Sequence, residues 1–163
     1  TGIQITGIEK DDKEQLISEL PDGVTTVIHR GVNSLIACVG KGKCKNGQME
    51  TAELADYIER KHYGRKTSHK CKIGISGCGR NCPDSMVKDI AFIGTSQGFM
   101  LAVGGNTGMR PETGKILMRK LSVEQAKKAA DILIDWYAEN GEPKERMGKL
   151  LERLGNPLEN KTL

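Results

Sequence analysis

Aromatic residues make up only 4% of this 163-residue sequence: two phenylalanines, one tryptophan and three tyrosines. A surface that holds single-stranded nucleic acid by stacking bases on rings has little to build with here. No apolar run approaches the roughly 20 residues that a membrane-spanning helix needs. The expectation is therefore neither a membrane nor a nucleic-acid partner. Charge of one sign is also scarce, since 25 basic against 21 acidic residues leave a formal +4, too little by itself to mark a binder of polyanions. Finally, the chain opens Thr1-Gly2-Ile3 without a basic-then-apolar signal pattern. We read that start as the beginning of a piece of a longer, cytoplasmic chain.

What is present in excess is glycine, at 20 residues, together with five cysteines. An odd cysteine count without a secretory signal argues against a disulfide framework and for thiols, free or given to a metal. Cys38 and Cys44 make a C-x5-C pair, and Cys78 and Cys82 make a C-x3-C pair after a gap of 33 residues. Four thiols so spaced can hold an iron-sulfur cluster, because each short pair sits on a turn that lets two sulfurs converge. Zinc also takes four thiolates, usually on tighter knuckles, and four inert buried thiols would not need glycine beside each pair. Cys71 fits neither pair and reads as a core thiol.

The periodicities predict an α+β chain with a small mixed sheet and flanking helices. Strands are expected at Gly2 to Ile8, Val24 to Ile28, Ser34 to Ala37, through the cysteine-bearing run near Lys70 to Gly77, and at Ile90 to Ile93, Phe99 to Val103 and Ile116 to Met118. Helices are expected with Leu16, Ile17 and Leu20 on one face, from Met49 to His62, briefly after Pro83-Asp84, from a capping box at Ser122 and Gln125 to Asn140, and around Met147 to Leu154. Between Arg60 and Lys72 the chain holds Arg60, Lys61, Arg65, Lys66, Lys70 and Lys72 and no acid. Strand alternation puts Lys70 and Lys72 on one face and Cys71 on the other.

The stretches Ser34-Leu35-Ile36-Ala37-Cys38, His69-Lys70-Cys71-Lys72-Ile73-Gly74-Ile75-Ser76-Gly77-Cys78, Asn81-Cys82 and Asp89-Ile90-Ala91-Phe92-Ile93-Gly94 resemble the siroheme and iron-sulfur domain of the nitrite and sulfite reductase family, and within it the small single-repeat assimilatory type. The resemblance runs from about Val24 to Leu121, and Thr1 to Leu20 is similar to the tail of the family's ferredoxin-like half-domain. It implies a division into residues 1–22, that remnant, and 23–163, the siroheme and 4Fe-4S domain. It also implies a 4Fe-4S cluster on Cys38, Cys44, Cys78 and Cys82, with the last thiolate shared with the siroheme iron.

The same resemblance implies that Lys70 and Lys72 reach an oxyanion substrate, sulfite or nitrite, and that ferredoxin or another donor protein supplies electrons. Siroheme is rich in carboxylates, so its seat should be basic and closely approached by backbone. Arg30, Lys41, Lys43, Arg80 and Arg110, with His29 and Arg65, are the basic residues for it, and Asn81, Gly104 and Gly105 the backbone contributors. The chain departs from the family pattern at Val39, at Gly79-Arg80 and at Asn33, positions usually held by proline, Pro-Asn and arginine. A domain that keeps the cluster as an electron carrier without substrate chemistry is the alternative those departures raise. A structural zinc or nucleic-acid module is the alternative that the basic segment raises.

Overall fold

A computed structural model describes residues 6–9, 11–21, 31–159, 161 and 163. The strands β1 (Gly31–Ala37), β2 (Lys70–Ser76), β3 (Ile90–Thr95), β4 (Gly98–Val103) and β5 (Lys115–Leu121) lie side by side in that order in one sheet. The first three run parallel, and β3, β4 and β5 are successively antiparallel. The helices are α1 (Lys13–Ser18), α2 (Ala52–His62), α3 (Val123–Asn140) and α4 (Met147–Leu154).

Parallel neighbours need a crossover, usually helical. Between β1 and β2 that role falls to α2. Between β2 and β3 there is no α-helix, only the loop bearing Cys78 and Cys82 and a single 3₁₀ turn at Ser85–Val87. The second cysteine pair thus occupies the place where a helix would ordinarily cover the sheet.

Alternation divides the sheet into unequal faces. Cys71, Ile73 and Ile75 of β2, Ile90 and Phe92 of β3, and Phe99, Leu101 and Val103 of β4 are fully buried on the face that carries Leu54 and Ile58 of α2 and the apolar stripe of α3. Phe92 and Phe99 meet edge-on across the hairpin, with ring centroids 6.3 Å apart at 79°. Three alanines of α3, Ala126, Ala129 and Ala130, are fully buried beside Leu133, Ile134 and Tyr137. The opposite face has only a small apolar cluster, Ala91, Ile93 and Ala102 with Met86 and Met100. On that face β2 places Lys70, Lys72, Gly74 and Ser76.

The capping box that opens α3 forms as expected: the Gln125 amide donates to Ser122 Oγ at 3.1 Å, and the Ser122 amide donates to Gln125 Oε1 at 3.0 Å. Other expectations shift. β1 starts at Gly31 and β5 at Lys115, both earlier than the apolar runs alone indicate. Helix α2 begins at Ala52 rather than Met49, because the amides of Gln48 and Met49 are tied to Gly77, just past the end of β2, instead. The brief helix expected at Pro83-Asp84 is a single 3₁₀ turn, Ser85–Val87, which follows left-handed Asp84 (φ +52°). Residues 6–8 of the strand expected at Gly2 to Ile8 are not in a strand, and residues 1–5 lie outside the described residues, as do the strand expected at Val24 to Ile28 and the seat residues His29 and Arg30.

Candidate iron-sulfur and oxyanion site

The two cysteine-bearing loops meet at the C-terminal ends of β1 and β2. Ala37 pairs with Ile75 in the last rung, and the next amide, that of Cys38, donates to the Ile75 carbonyl at 3.0 Å. Cys38 is therefore delivered beside the exit of β2, and Cys78 follows two residues after Ser76.

Gly77 joins the two loops. Its amide donates to Cys38 Sγ at 3.0 Å. Its carbonyl accepts from the amides of Gln48, at 2.8 Å, and Met49, at 3.0 Å, which lie just after Cys44. Any side chain here would collide, since a Cβ on Gly77 would sit 2.7 Å from Gly40 Cα and 3.0 Å from the Met49 carbonyl oxygen. Within the first loop, the amide of Cys44 donates to the Gly40 carbonyl at 3.0 Å and the amide of Lys41 to that of Met49 at 2.9 Å. Gly40 holds φ +66° and is packed against Thr51, whose hydroxyl donates to the Cys38 carbonyl.

An open cleft of about 470 Å³ separates the loops, lined by Lys45, Asn46, Gly47 and Gln48 on one side and Cys78, Gly79 and Arg80 on the other. All five cysteines are free thiols; Cys78 is buried, Cys38 and Cys44 are half-buried and Cys82 is exposed. Among the described residues no three Cys, His, Asp or Glu side chains converge as a site for a single metal ion. A cluster spreads its four thiolate ligands over four irons and suits two loops facing each other across a cleft. The amide aimed at Cys38 Sγ is the kind of hydrogen bond that tunes such a cluster once the sulfur is a thiolate. The donor set fits the group.

Lys70 and Lys72 lie at the other end of β2. From Lys72 to Ser76 the strand advances roughly 13 Å at about 3.3 Å per residue. The alternation read from the sequence holds: Cys71 faces the core with no exposure, and burial raises its thiol pKa well above the ordinary value. Lys72 is half-buried on the other face. Its pKa is lowered, first by desolvation and then by the neighbouring charges of Lys70, Lys88 and Arg146, with Asp89 acting in the opposite sense. Asp89 itself has no exposed surface, and burial raises its pKa although Arg146 and the Lys72 amide oppose the shift.

The proposed seat residues are scattered. Lys41 and Lys43 are exposed on the first cysteine loop and Arg80 on the second, near the cleft. Asn81 is left-handed (φ +54°), and its side-chain oxygen accepts from the Met86 amide at 3.3 Å, which shapes the turn that carries Cys82. Arg110 is exposed on the loop after β4, and Arg65 pairs with Asp135 of α3. Gly104 and Gly105 have local reasons to be glycine: a Cβ would lie 2.9 Å from Gly148 Cα in the first case and 2.4 Å from the Met86 carbonyl oxygen in the second. The sequence reading did not single out Gly77, Asp89 or Arg146. A lone acid opening the apolar run Ile90 to Ile93 was the available signal for Asp89.

Residues 29–157 match the family described as the nitrite and sulphite reductase 4Fe-4S domain. The chain is 31% identical over 153 residues to an assimilatory-type sulfite reductase of Nitratidesulfovibrio vulgaris, covering 94% of this chain and 70% of that protein. It is also 31% identical over 153 residues to a nitrite reductase [NAD(P)H] of Bacillus subtilis, of which it spans only 19%. In fold it resembles dissimilatory sulfite reductase I (TM-score 0.78, 13% identity, covering 95% of this chain and 59% of that one) and the NirA protein of Mycobacterium tuberculosis (TM-score 0.75, 18% identity, covering 89% and 29%). The family implies a 4Fe-4S cluster and siroheme as cofactors, and no helix among the described residues is long and apolar enough to cross a membrane. With its cysteine loops, mixed sheet and matched residues taken together, this chain belongs to the nitrite and sulfite reductase family.

Proposed function

We propose that this chain is the catalytic portion of a reductase that takes sulfite to sulfide or nitrite to ammonia. Cys38, Cys44, Cys78 and Cys82 would hold the 4Fe-4S cluster, and Cys82, the exposed member, would share its thiolate with the siroheme iron. Together these groups supply electrons and an open metal coordination position for the oxyanion. The observation that carries the reading is Gly77, whose amide and carbonyl bring the two cysteine loops together at the ends of β1 and β2.

The chain's own contribution is charge and protons. Either anion loses oxygen as water, so a site that reduces it must hold negative charge and deliver protons repeatedly. Lys70 and Lys72 share the sparsely covered face of β2. The lowered pKa of Lys72 brings its ammonium nearer to neutral pH, where a general acid transfers protons most effectively. Lys41, Lys43, Arg80 and Arg110 are available to siroheme carboxylates, with Asn81 fixing the turn beneath Cys82. Residues 1–22 are read as the tail of a ferredoxin-like half-domain, supported by α1, which buries none of its residues. A ferredoxin or another donor protein would deliver the electrons.

The test is anaerobic preparation of the protein loaded with both cofactors. Iron, acid-labile sulfide and a siroheme absorption band are expected, with reoxidation of the reduced protein by sulfite or nitrite. Lys72→Ala should lower turnover by about 10²-fold or more, the usual scale for losing a positioned general acid. Cluster-loaded protein that neither anion reoxidises would overturn the catalytic reading in favour of an electron carrier.

A further inference from the structure

The buried carboxylate of Asp89 ties together separate parts of the chain. Its Oδ1 accepts from Arg146 Nη2 at 2.7 Å and Nε at 3.1 Å, a two-pronged pairing by one guanidinium. Its Oδ2 accepts from the backbone amide of Lys72 at 2.8 Å. Its own carbonyl accepts from the Gly104 amide at 2.8 Å. One residue therefore fixes the backbone at Lys72, the start of the loop after β4 and the residue that caps α4.

Arg146 extends the connection. Its Nη1 donates to Asn106 Oδ1 at 3.5 Å, and the same oxygen accepts from the Gly108 amide at 3.0 Å. Besides Asp89, the charged groups that act on the Lys72 amine are Lys70 on its own strand, Lys88 from the loop before β3, and Arg146 from the cap of α4. Three cations thus act on the Lys72 amine against one carboxylate, an excess of positive charge around it. A buried ion pair of this kind adds little net stability, because the desolvation of two charges offsets much of their attraction. It does supply a fixed backbone and a fixed local charge.

We propose that Asp89 and Arg146 form a positioning pair for Lys72, holding its backbone in place and balancing the charge around its amine so that the Lys70, Lys72, Lys88 and Arg146 group binds a small oxyanion. The proposal rests on the reading of Lys72 as a substrate lysine, and it adds Lys88 and Arg146 to the anion-binding group. Neither Asp89 nor Arg146 need touch the substrate's reacting atoms. Asp89 acts through Lys72 alone, whereas Arg146 both adds its charge to the anion-binding group and acts on the Lys72 amine; their influences on that amine have opposite signs. Asp89→Asn removes the negative charge that favours the ammonium. Arg146→Gln removes a positive charge that disfavours it.

The discriminating experiment is pH-dependent competitive labelling of Lys72, read by mass spectrometry in the purified protein, for wild type, Asp89→Asn, Arg146→Gln and Arg146→Lys. The expected result is a fall in the Lys72 pKa in Asp89→Asn, a rise in Arg146→Gln, and a value near wild type in Arg146→Lys, in which a cation is retained. Shifts in the same direction for the first two, or none, would overturn the proposal by reducing the pair to a packing role. If one variant does not fold, Lys88→Gln, which removes another cation acting on the Lys72 amine, must raise the Lys72 pKa, and no rise would overturn the proposal. In cofactor-loaded protein the alkaline limb of turnover should move with the labelling pKa. Labelling shifts with an unmoved limb would support the pair and refute the substrate role of Lys72.

Discussion

Substituting the two glycines that flank Cys78 should have very different results. Gly79→Ala adds a methyl group to a position with nothing within 4 Å, whereas Gly77→Ala drives one to 2.7 Å from Gly40 Cα, 3.0 Å from the Met49 carbonyl oxygen and 3.5 Å from Cys38 Sγ. Two of those neighbours are backbone atoms of the opposing loop and cannot rotate away, so the loops must separate. Forcing a methyl group into such packing costs about 1–3 kcal/mol. At roughly 2–4 °C per kcal/mol for a chain of this size, Gly77→Ala should lower the Tm by some 2–12 °C, and Gly79→Ala should leave it almost unchanged. The second effect is on the cluster: separation lengthens the 3.0 Å bond from the Gly77 amide to Cys38 Sγ, so iron uptake should fall and the potential of any cluster formed should become more negative. Thermal melts of cofactor-free protein and anaerobic titration of reconstituted protein measure the two separately. A Gly77→Ala protein with wild-type Tm and full iron content would refute the placement of Gly77 as the joint between the loops.

Serine at Cys38, Cys44, Cys78 or Cys82 should abolish stable cluster assembly, measured as iron and acid-labile sulfide per chain, whereas Cys71→Ala should retain both and lose only some stability, consistent with its full burial in the core. At the junction of α2 and α3, Asp131 accepts from Tyr57 at 2.8 Å and Lys61 at 2.7 Å and lies 2.6 Å from His62 Nε2. Burial alone would raise its pKa, but these hydrogen bonds outweigh it and hold the carboxyl below its ordinary value. The stabilisation is therefore present above about pH 4, the unfolded carboxylate range, and is lost as pH falls through the lower folded value. Asp131→Asn should cost about 1–3 kcal/mol at neutral pH, since it leaves buried His62 poorly paired, and the difference from wild type in denaturant titrations should shrink in acid.

The parts of this fold that could be read from the sequence are those fixed by local chemistry. The Ser122 and Gln125 capping box announces α3, and the alternation of Lys70, Cys71, Lys72 and Ile73 sorts β2 into a core face and an open face. The cysteine spacing indicated two loops that must meet. What could not be read depends on contacts between distant segments. Gly77 was one glycine among many near the cysteines, and its importance comes from the backbone of residues 40–49 folding against it. Asp89 and Arg146 are 57 residues apart and look like solvated surface charges until β3 and α4 are packed together. β1 was expected too short because Gly31, Val32 and Asn33 have no apolar alternation, and the strand is extended there by pairing with β2, across an irregularity between Val32 and Ser34.

The crossover from β2 to β3, made of loop rather than helix, separates two levels of stability in this molecule. The sheet and its helical layer share one apolar core that does not include Cys82, so loss of the cofactors should loosen residues 78–84 without melting the strands on either side. Limited proteolysis of stripped protein should then nick the chain near exposed Gly79 and Arg80, and the two fragments should stay associated through the pairing of β2 with β3. Cluster loading would be seen as protection of that one bond region, which makes a protease a simple reporter of cofactor insertion.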